Sequence, residues 1–117
     1  MSIVADVVVG LVAALHLYFL VLEMFLWDTP TGHQTFGLEP AFAAESKTLA
    51  ANQGLYNGFL AAGLVWGLVS DRDDVKLFFL ACVIVAGAYG GVTVSRRIWL
   101  VQALPALIGF VLVLIAS

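Results

Sequence analysis

Long apolar runs alternate with short polar breaks along this chain of 117 residues. A helix that crosses a membrane needs about 20 mainly apolar residues. Four runs reach that length, and the polar segments 28–48, 70–74 and 95–97 separate them. The pattern therefore predicts four transmembrane helices, over about 3–27, 49–69, 75–94 and 98–116, with a long loop over 28–48.

Proline and glycine residues mark where this pattern changes. Pro30, Gly32, Gly37 and Pro40 all lie in the longest break and favour turns. The residues after Pro40 are good helix formers, so we expect the second helix to begin near Pro40 and to extend partly outside the membrane. Pro105 lies within the fourth run, where it is expected to bend the helix.

Composition supports a membrane protein. Hydrophobic residues make up 62% of the chain and charged residues 11%, against about 45–50% and about 25% in soluble domains. A chain this short has too much surface for its volume to hide that excess. The apolar surface is therefore expected to face lipid.

Charge and cysteine content exclude several classes of function. The net charge is −3 with no basic run, so nucleic acid is not predicted as a partner. Cys82 is the one cysteine, which excludes an intramolecular disulfide. The N-terminus lacks the positive region of a signal peptide, so the first helix is expected to be retained.

The predicted fold is an all-α integral membrane four-helix bundle, formed by residues 1–117 as a single transmembrane domain. An even number of crossings places both termini on the same side. Asp6, Lys76 and the charged residues 71–74 lie on that side. The opposite side has three of the five Lys and Arg residues, a difference too small to decide which side is cytoplasmic.

Polar side chains concentrate in the half of the predicted bundle away from the termini. His16 and Glu23 are seven residues apart and so share one helix face. An ionisable residue at the bilayer centre costs about 2.5–3.5 kcal/mol on insertion scales, so these residues are expected to face the interior. The candidate ligand-binding residues on this basis are His16, Glu23, Asn52, Tyr56, Asn57, Tyr89, Arg96 and Gln102.

Glu23 needs a partner if it is ionised in this setting. Arg96 or Arg97 is the candidate cation, and Asn52 and Asn57 are the candidate neutral donors. His16 lies about 10 Å from Glu23 along the helix, too far for a direct hydrogen bond or a shared metal ion. No metal site is predicted, and a purely structural role in joining helices stays open for these residues.

Small residues recur at every fourth position on two helices. Gly54, Gly58 and Ala62 form one such stripe, and Gly87 and Gly91 form another. Faces of this kind allow helix backbones to approach closely. The sequence leaves open whether these contacts lie within one chain or between copies.

Two segments carry a resemblance to a known family. The strings "LHLYFLVLEMFLW" (15–27) and "NQGLYNGFLAAGLVWG" (52–67) resemble the bacterial small four-helix membrane proteins known as domain of unknown function 1304. More distantly, the architecture is similar to DoxX-like membrane proteins, some of which are linked to quinone-coupled oxidoreductases. The resemblance implies a multi-pass protein of the bacterial plasma membrane. His16, Glu23, Asn52, Tyr56 and Asn57 match the family's motif positions, and the family brings no established activity.

The leading functional prediction is a polar intramembrane pocket that binds an amphipathic small molecule, of lipid headgroup, quinone or isoprenoid type, with the protein as an accessory subunit. One alternative is an intramembrane enzyme that uses His16 and Glu23 as acid–base groups on a lipophilic substrate. Another is a small-solute or proton-coupled transporter that acts as a dimer, with Glu23 as the coupling site. Membrane lipids are the expected partners, with a homo-oligomer or a larger membrane complex left open. The sequence identifies no cofactor.

Overall fold

The computed structural model describes residues 2–117, and these residues are almost entirely helical. The helices are α1 (Ile3–Met24), α2 (Pro30–Phe36), α3 (Pro40–Val69), α4 (Asp73–Thr93) and α5 (Leu104–Ala116), and a π-helical turn (Trp99–Ala103) leads into α5. Among the described residues, α1, α4 and the stretch Trp99–Ala116 are long and apolar enough to cross a membrane. Helix α3 is the longest helix but is not one of these three, because polar residues such as Asn52, Gln53 and Asn57 interrupt its apolar half.

The predicted loop over 28–48 is largely helical. Thr29 caps α2, since its hydroxyl oxygen accepts a hydrogen bond of 3.3 Å from the Gly32 N–H, and Pro30 follows at the first helical position. Gly37 ends α2 with a φ of 65°, a left-handed conformation that suits glycine. Helix α3 then begins at Pro40, as the sequence predicts.

The end of α1 differs from the predicted one. The helix stops at Met24, so Trp27 lies beyond it and does not continue the helical face of His16 and Glu23. The residues after Met24 leave the helix to reach the cap of α2, and Pro30 restricts the residue before it to an extended conformation.

The fourth predicted span is irregular ahead of Pro105. The Leu104 N–H bonds to the Trp99 carbonyl five residues earlier, which closes the π-helical turn. Pro105 follows directly and has no N–H to donate. The structure thus has a π-helical turn directly before this proline, and the bend expected at Pro105 stays a prediction.

The chain divides into two compact units, one of residues 15–59 and one that joins the residues before Leu15 to residues 60–117. The second unit, called the core unit here, buries small and medium apolar side chains from α1, α3, α4 and α5. These are Ala5, Val9, Val12, Ala13, Leu64, Leu80, Val83, Ala106 and Val113.

The outer surface of the core unit carries large apolar side chains. Ile3, Val69, Val92 and Ile115 are 75–83% exposed, and many other apolar side chains on the same helices are more than 40% exposed. In water, a continuous surface of this kind would promote association. Small buried and large exposed residues are the arrangement expected where lipid surrounds packed helices.

Glycine permits the closest packing in the core unit. A Cβ atom at Gly87 would lie 2.7 Å from the backbone nitrogen of Ala103, and one at Gly91 would overlap the Trp99 ring. The small-residue stripe predicted on this helix is therefore used for contacts within one chain.

The other unit, residues 15–59, contains the end of α1, α2 and the first part of α3. Trp27 lies beside α3, where its indole N–H donates to the Ser46 hydroxyl at 3.0 Å. Its ring stacks against Phe36 of α2, with ring centroids 4.9 Å apart. A Cβ at Gly54 would lie 2.7 Å from the Met24 side chain, so α3 extends about 20 Å past the end of α1 toward Pro40.

Candidate functional site

Glu23 and Asn57 form the polar contact that joins α1 to α3. The Asn57 side-chain amide donates to Glu23 Oε1 at 2.5 Å, although the two residues are 34 positions apart. Asn57 is 7% exposed and Glu23 is half-buried. Both were candidate residues in the sequence, and the structure brings them together as the Glu23–Asn57 pair.

Two glycines of α3 allow this pair to form. A Cβ at Gly54 would lie 3.1 Å from the Glu23 Cβ and 3.2 Å from the Leu20 carbonyl oxygen, and one at Gly58 would lie 2.6 Å from Leu20 Cδ1. A larger residue at either position would require the side chains of Met24 or Leu20 to move. The predicted stripe is thus used within the chain at Gly54 and Gly58, whereas its third member, Ala62, is exposed.

His16 lies deeper on α1 and is fully buried. Its ring packs edge-on against Phe19, with centroids 5.5 Å apart and an interplanar angle of 76°. The buried orientation agrees with the helical spacing of His16 and Glu23. Two turns of helix still separate His16 from the Glu23–Asn57 pair.

The remaining candidates are more exposed than a shared interior requires. Asn52 is exposed, and Tyr56 and Tyr89 are 56% and 72% exposed. Gln102 is half-buried in the π-helical turn, and Arg96 is exposed. The inward orientation predicted for the two tyrosines is therefore not found.

Two shallow cavities lie on α4. One has a volume of about 590 Å³ and is lined by apolar residues of that helix together with Tyr89; the other, of about 380 Å³, lies around Trp66 and Phe78. Tyr89 is the one candidate site residue that lines either cavity. The larger cavity is an apolar surface feature of α4, whereas the smaller one also involves Trp66 of α3 and the charged Asp74. Neither is lined by the group of polar residues that the sequence predicts.

Within its own unit, residues 15–59, Glu23 has the neutral amide of Asn57 as its described partner. The pairing with Arg96 or Arg97 stays a prediction. Both arginines are exposed and lie between α4 and the π-helical turn. Of the two predicted neutral donors, Asn57 is the one that reaches the carboxylate.

A second charged site, which the sequence did not single out, lies in the core unit. Lys76 is 2% exposed, and its Nζ donates to Asp6 at 3.0 Å, to Asp71 at 3.3 Å and to Asp73 at 3.4 Å. The signal in the sequence was the predicted placement of these four residues on the same side. We refer to Lys76 with these three carboxylates as the Lys76 cluster.

Backbone geometry positions the Lys76 cluster. The Arg72 N–H bonds to the Gly67 carbonyl and the Asp71 N–H to the Leu68 carbonyl, which ends α3 in a Schellman motif. Asp71 occupies the left-handed position of that motif, with a φ of 51°. Gly67 leaves room for the lysine, because a Cβ there would lie 2.8 Å from Lys76 Cγ.

Arg72 and Asp74 form a separate, solvent-exposed pair beside this cluster, with 2.7 Å between Arg72 Nη2 and Asp74 Oδ2. The hydrogen bond and the charge of Asp74 raise the pKa of Arg72. Both side chains are more than half exposed, so the pair has little influence on the fold.

The helices and their exposed apolar surface define the class. Residues 2–117 form an all-helical structure in which three helices are long and apolar enough to cross a membrane, and this indicates membrane association. Within that class, the chain belongs to the family described as "Protein of unknown function (DUF1304)", whose model matches residues 10–114.

A relative from Lactococcus lactis subsp. lactis (strain IL1403), described as "Uncharacterized protein YpaA", is 29% identical over 115 residues. The match covers 95% of this chain and 97% of that protein. No solved structure matches the chain. The more distant similarity to DoxX-like proteins stays a prediction.

Proposed function

We propose that this protein is a multi-pass protein of the bacterial plasma membrane that binds an amphipathic small molecule beside the Glu23–Asn57 pair. The observation that carries the proposal is the hydrogen bond between a membrane-helix carboxylate and a buried amide on α3. The ligand is of lipid headgroup, quinone or isoprenoid type, and the protein acts as an accessory subunit of a larger assembly. Its polar part contacts Glu23, and its apolar part lies along the helices.

The four-helix arrangement is part of the proposal, with α3 as the fourth membrane span. Residues of α1, α3, α4 and α5 share one core, which supports four neighbouring helices. The bond between Lys76 and Asp6 places the beginnings of α1 and α4 close together. An even number of spans requires both termini to lie on one side of the membrane, and the contact between Lys76 and Asp6 is consistent with that topology.

The position of Glu23 supports a ligand at the membrane boundary. It is the penultimate residue of α1 and is only half-buried. One turn deeper on the same face lie Phe19 and Leu20, which are also half-buried and apolar. A molecule with a polar head and an alkyl tail matches this face, which is polar at Glu23 and apolar one turn deeper.

Native mass spectrometry of the protein purified in mild detergent tests the proposal. We expect the wild type to retain a small molecule, and Glu23→Gln and Asn57→Ala each to lose it while the proteins stay folded in a melting experiment. Glu45→Gln and Gln53→Ala are matched controls, since both residues are exposed on α3. Unchanged occupancy in both site variants would leave a scaffold role in place of the binding function.

A further inference from the structure

We infer that the Glu23–Asn57 pair selects amphiphiles whose polar head carries a positively charged amine. The inference rests on the proposed function and names the chemical class of its ligand. Three observations support it: the charge available at Glu23, the hydrogen-bonding capacity left at its carboxylate, and the path by which a ligand reaches it.

Within residues 15–59, no described lysine or arginine pairs with the Glu23 carboxyl group. In the core unit, by contrast, Lys76 has three carboxylate partners. An amide such as that of Asn57 offers a dipole and no net charge. An ionised carboxylate in a membrane is unfavourable without a cation beside it. A cationic ligand supplies what the described residues of this unit do not.

The hydrogen-bonding capacity of Glu23 is mostly unused. An ionised carboxylate has about four acceptor positions on its two oxygens. Asn57 donates to Oε1, and no other polar partner is found for Glu23 in the described residues. An ammonium group has three donors and one positive charge. A hydroxyl group donates one hydrogen bond and leaves the charge of Glu23 uncompensated.

Access to Glu23 follows from where α1 ends. Helix α1 ends one residue after Glu23. Trp27, three residues further on, is hydrogen-bonded to Ser46 of α3. Ser46 lies eleven residues before Asn57 on that helix. Eleven helical residues correspond to about 16 Å, so the segment after α1 moves away from the pair. Glu23 is consequently only half-buried at the end of α1, where the headgroup of an amphiphile can reach it.

Amine headgroups have two sources, a membrane lipid and a free amphiphile, and both present the same ammonium chemistry to Glu23. The test uses three probes with the same alkyl chain: dodecylamine, dodecanol and dodecanoate. Binding is measured by titration calorimetry on the whole protein in a nonionic detergent. A second arm measures lipids retained from nanodiscs of equal parts phosphatidylethanolamine and phosphatidylglycerol.

We expect dodecylamine to bind the wild type at least tenfold more tightly than dodecanol, and dodecanoate to bind most weakly. Glu23→Gln should abolish that preference, Glu23→Asp should retain part of it, and the exposed-site control Glu45→Gln should leave it unchanged. Preferential retention of phosphatidylethanolamine would identify a lipid source. Amine binding without that retention would identify a free amphiphile.

Other outcomes separate the two proposals. Equal binding of dodecylamine and dodecanol, with both lost in Glu23→Gln, would overturn the amine preference and leave the amphiphile site in place. An amine preference that survives Glu23→Gln would overturn the assignment to this carboxylate. Absence of saturable binding for all three probes would overturn both.

Discussion

Two ionisable side chains in helices that are apolar enough to cross a membrane, Lys76 and Glu23, have very different surroundings. Lys76 is almost fully buried, and its ammonium group pairs with three carboxylates. Glu23 is half-buried and has one neutral amide. The ammonium group of Lys76 is therefore paired within the fold, whereas the Glu23 carboxyl group has acceptor positions left for a ligand.

The largest effect is expected from Lys76→Met, which keeps the apolar stem and removes the charge. Removing one partner of a buried ion pair costs about 3–5 kcal/mol of stability. Because the three carboxylates are partly exposed, we expect a loss of about 3 kcal/mol here. The measurement is the free energy of unfolding in mixed micelles. A variant as stable as the wild type would show that the Lys76 cluster does not stabilise the fold.

A smaller loss is expected from Gly54→Ala, which alters the approach of α1 to α3 and leaves Glu23 and Asn57 unchanged. The added Cβ would lie 2.7 Å from the Met24 side chain and 3.2 Å from a backbone oxygen. Overpacking of this kind costs about 1–3 kcal/mol, and ligand retention should fall with it. Gly10→Ala is the control, because a Cβ there meets nothing within 4 Å.

Asn57→Ala is expected to cost about 1 kcal/mol, since it removes one hydrogen bond to a half-buried carboxylate. Its effect on ligand retention should be much larger than its effect on unfolding. That contrast distinguishes the Glu23–Asn57 pair from the Lys76 cluster, where loss of charge should mainly reduce stability. A loss of stability as large as that of Lys76→Met would mean that the pair is structural.

The smallest effect is expected from Arg72→Ala. Its pair with Asp74 is exposed, and exposed pairs contribute little. The melting temperature and ligand retention should both match the wild type. A clear fall in melting temperature would mean that charges around the end of α3 act as one network, and that the Lys76 cluster is larger than described.

Much of this arrangement could be predicted from the order of apolar and polar residues. Hydropathy located the long helices, and the seven-residue spacing of His16 and Glu23 indicated their orientation. The partner of Glu23 could not be chosen between Asn52 and Asn57, because that depends on where α1 ends relative to α3. The bond from Lys76 to Asp6 depends on how α1 and α4 are rotated, which no local pattern records.

The region around α2 shows a different limit. Thr29, Pro30 and Gly37 form a cap, a first helical residue and a left-handed end, which together are a helix signature. Pro30 and Gly37 equally favour turns, and a helix of seven residues is too short to show a clear helical periodicity. The π-helical turn before Pro105 likewise depends on tertiary packing, in which Gly87 lies against Ala103.

The polar middle of α3 also has a consequence for biogenesis. A segment enters the bilayer from the translocon according to its apolarity, and Asn and Gln residues oppose that step. Since α3 is the long helix that falls short of the required hydropathy, we expect it to insert only together with α4, to which residues 70–72 join it. Glycosylation-site mapping of chains ended after residue 72 should find α3 outside the bilayer, whereas chains that include α4 should have it inside.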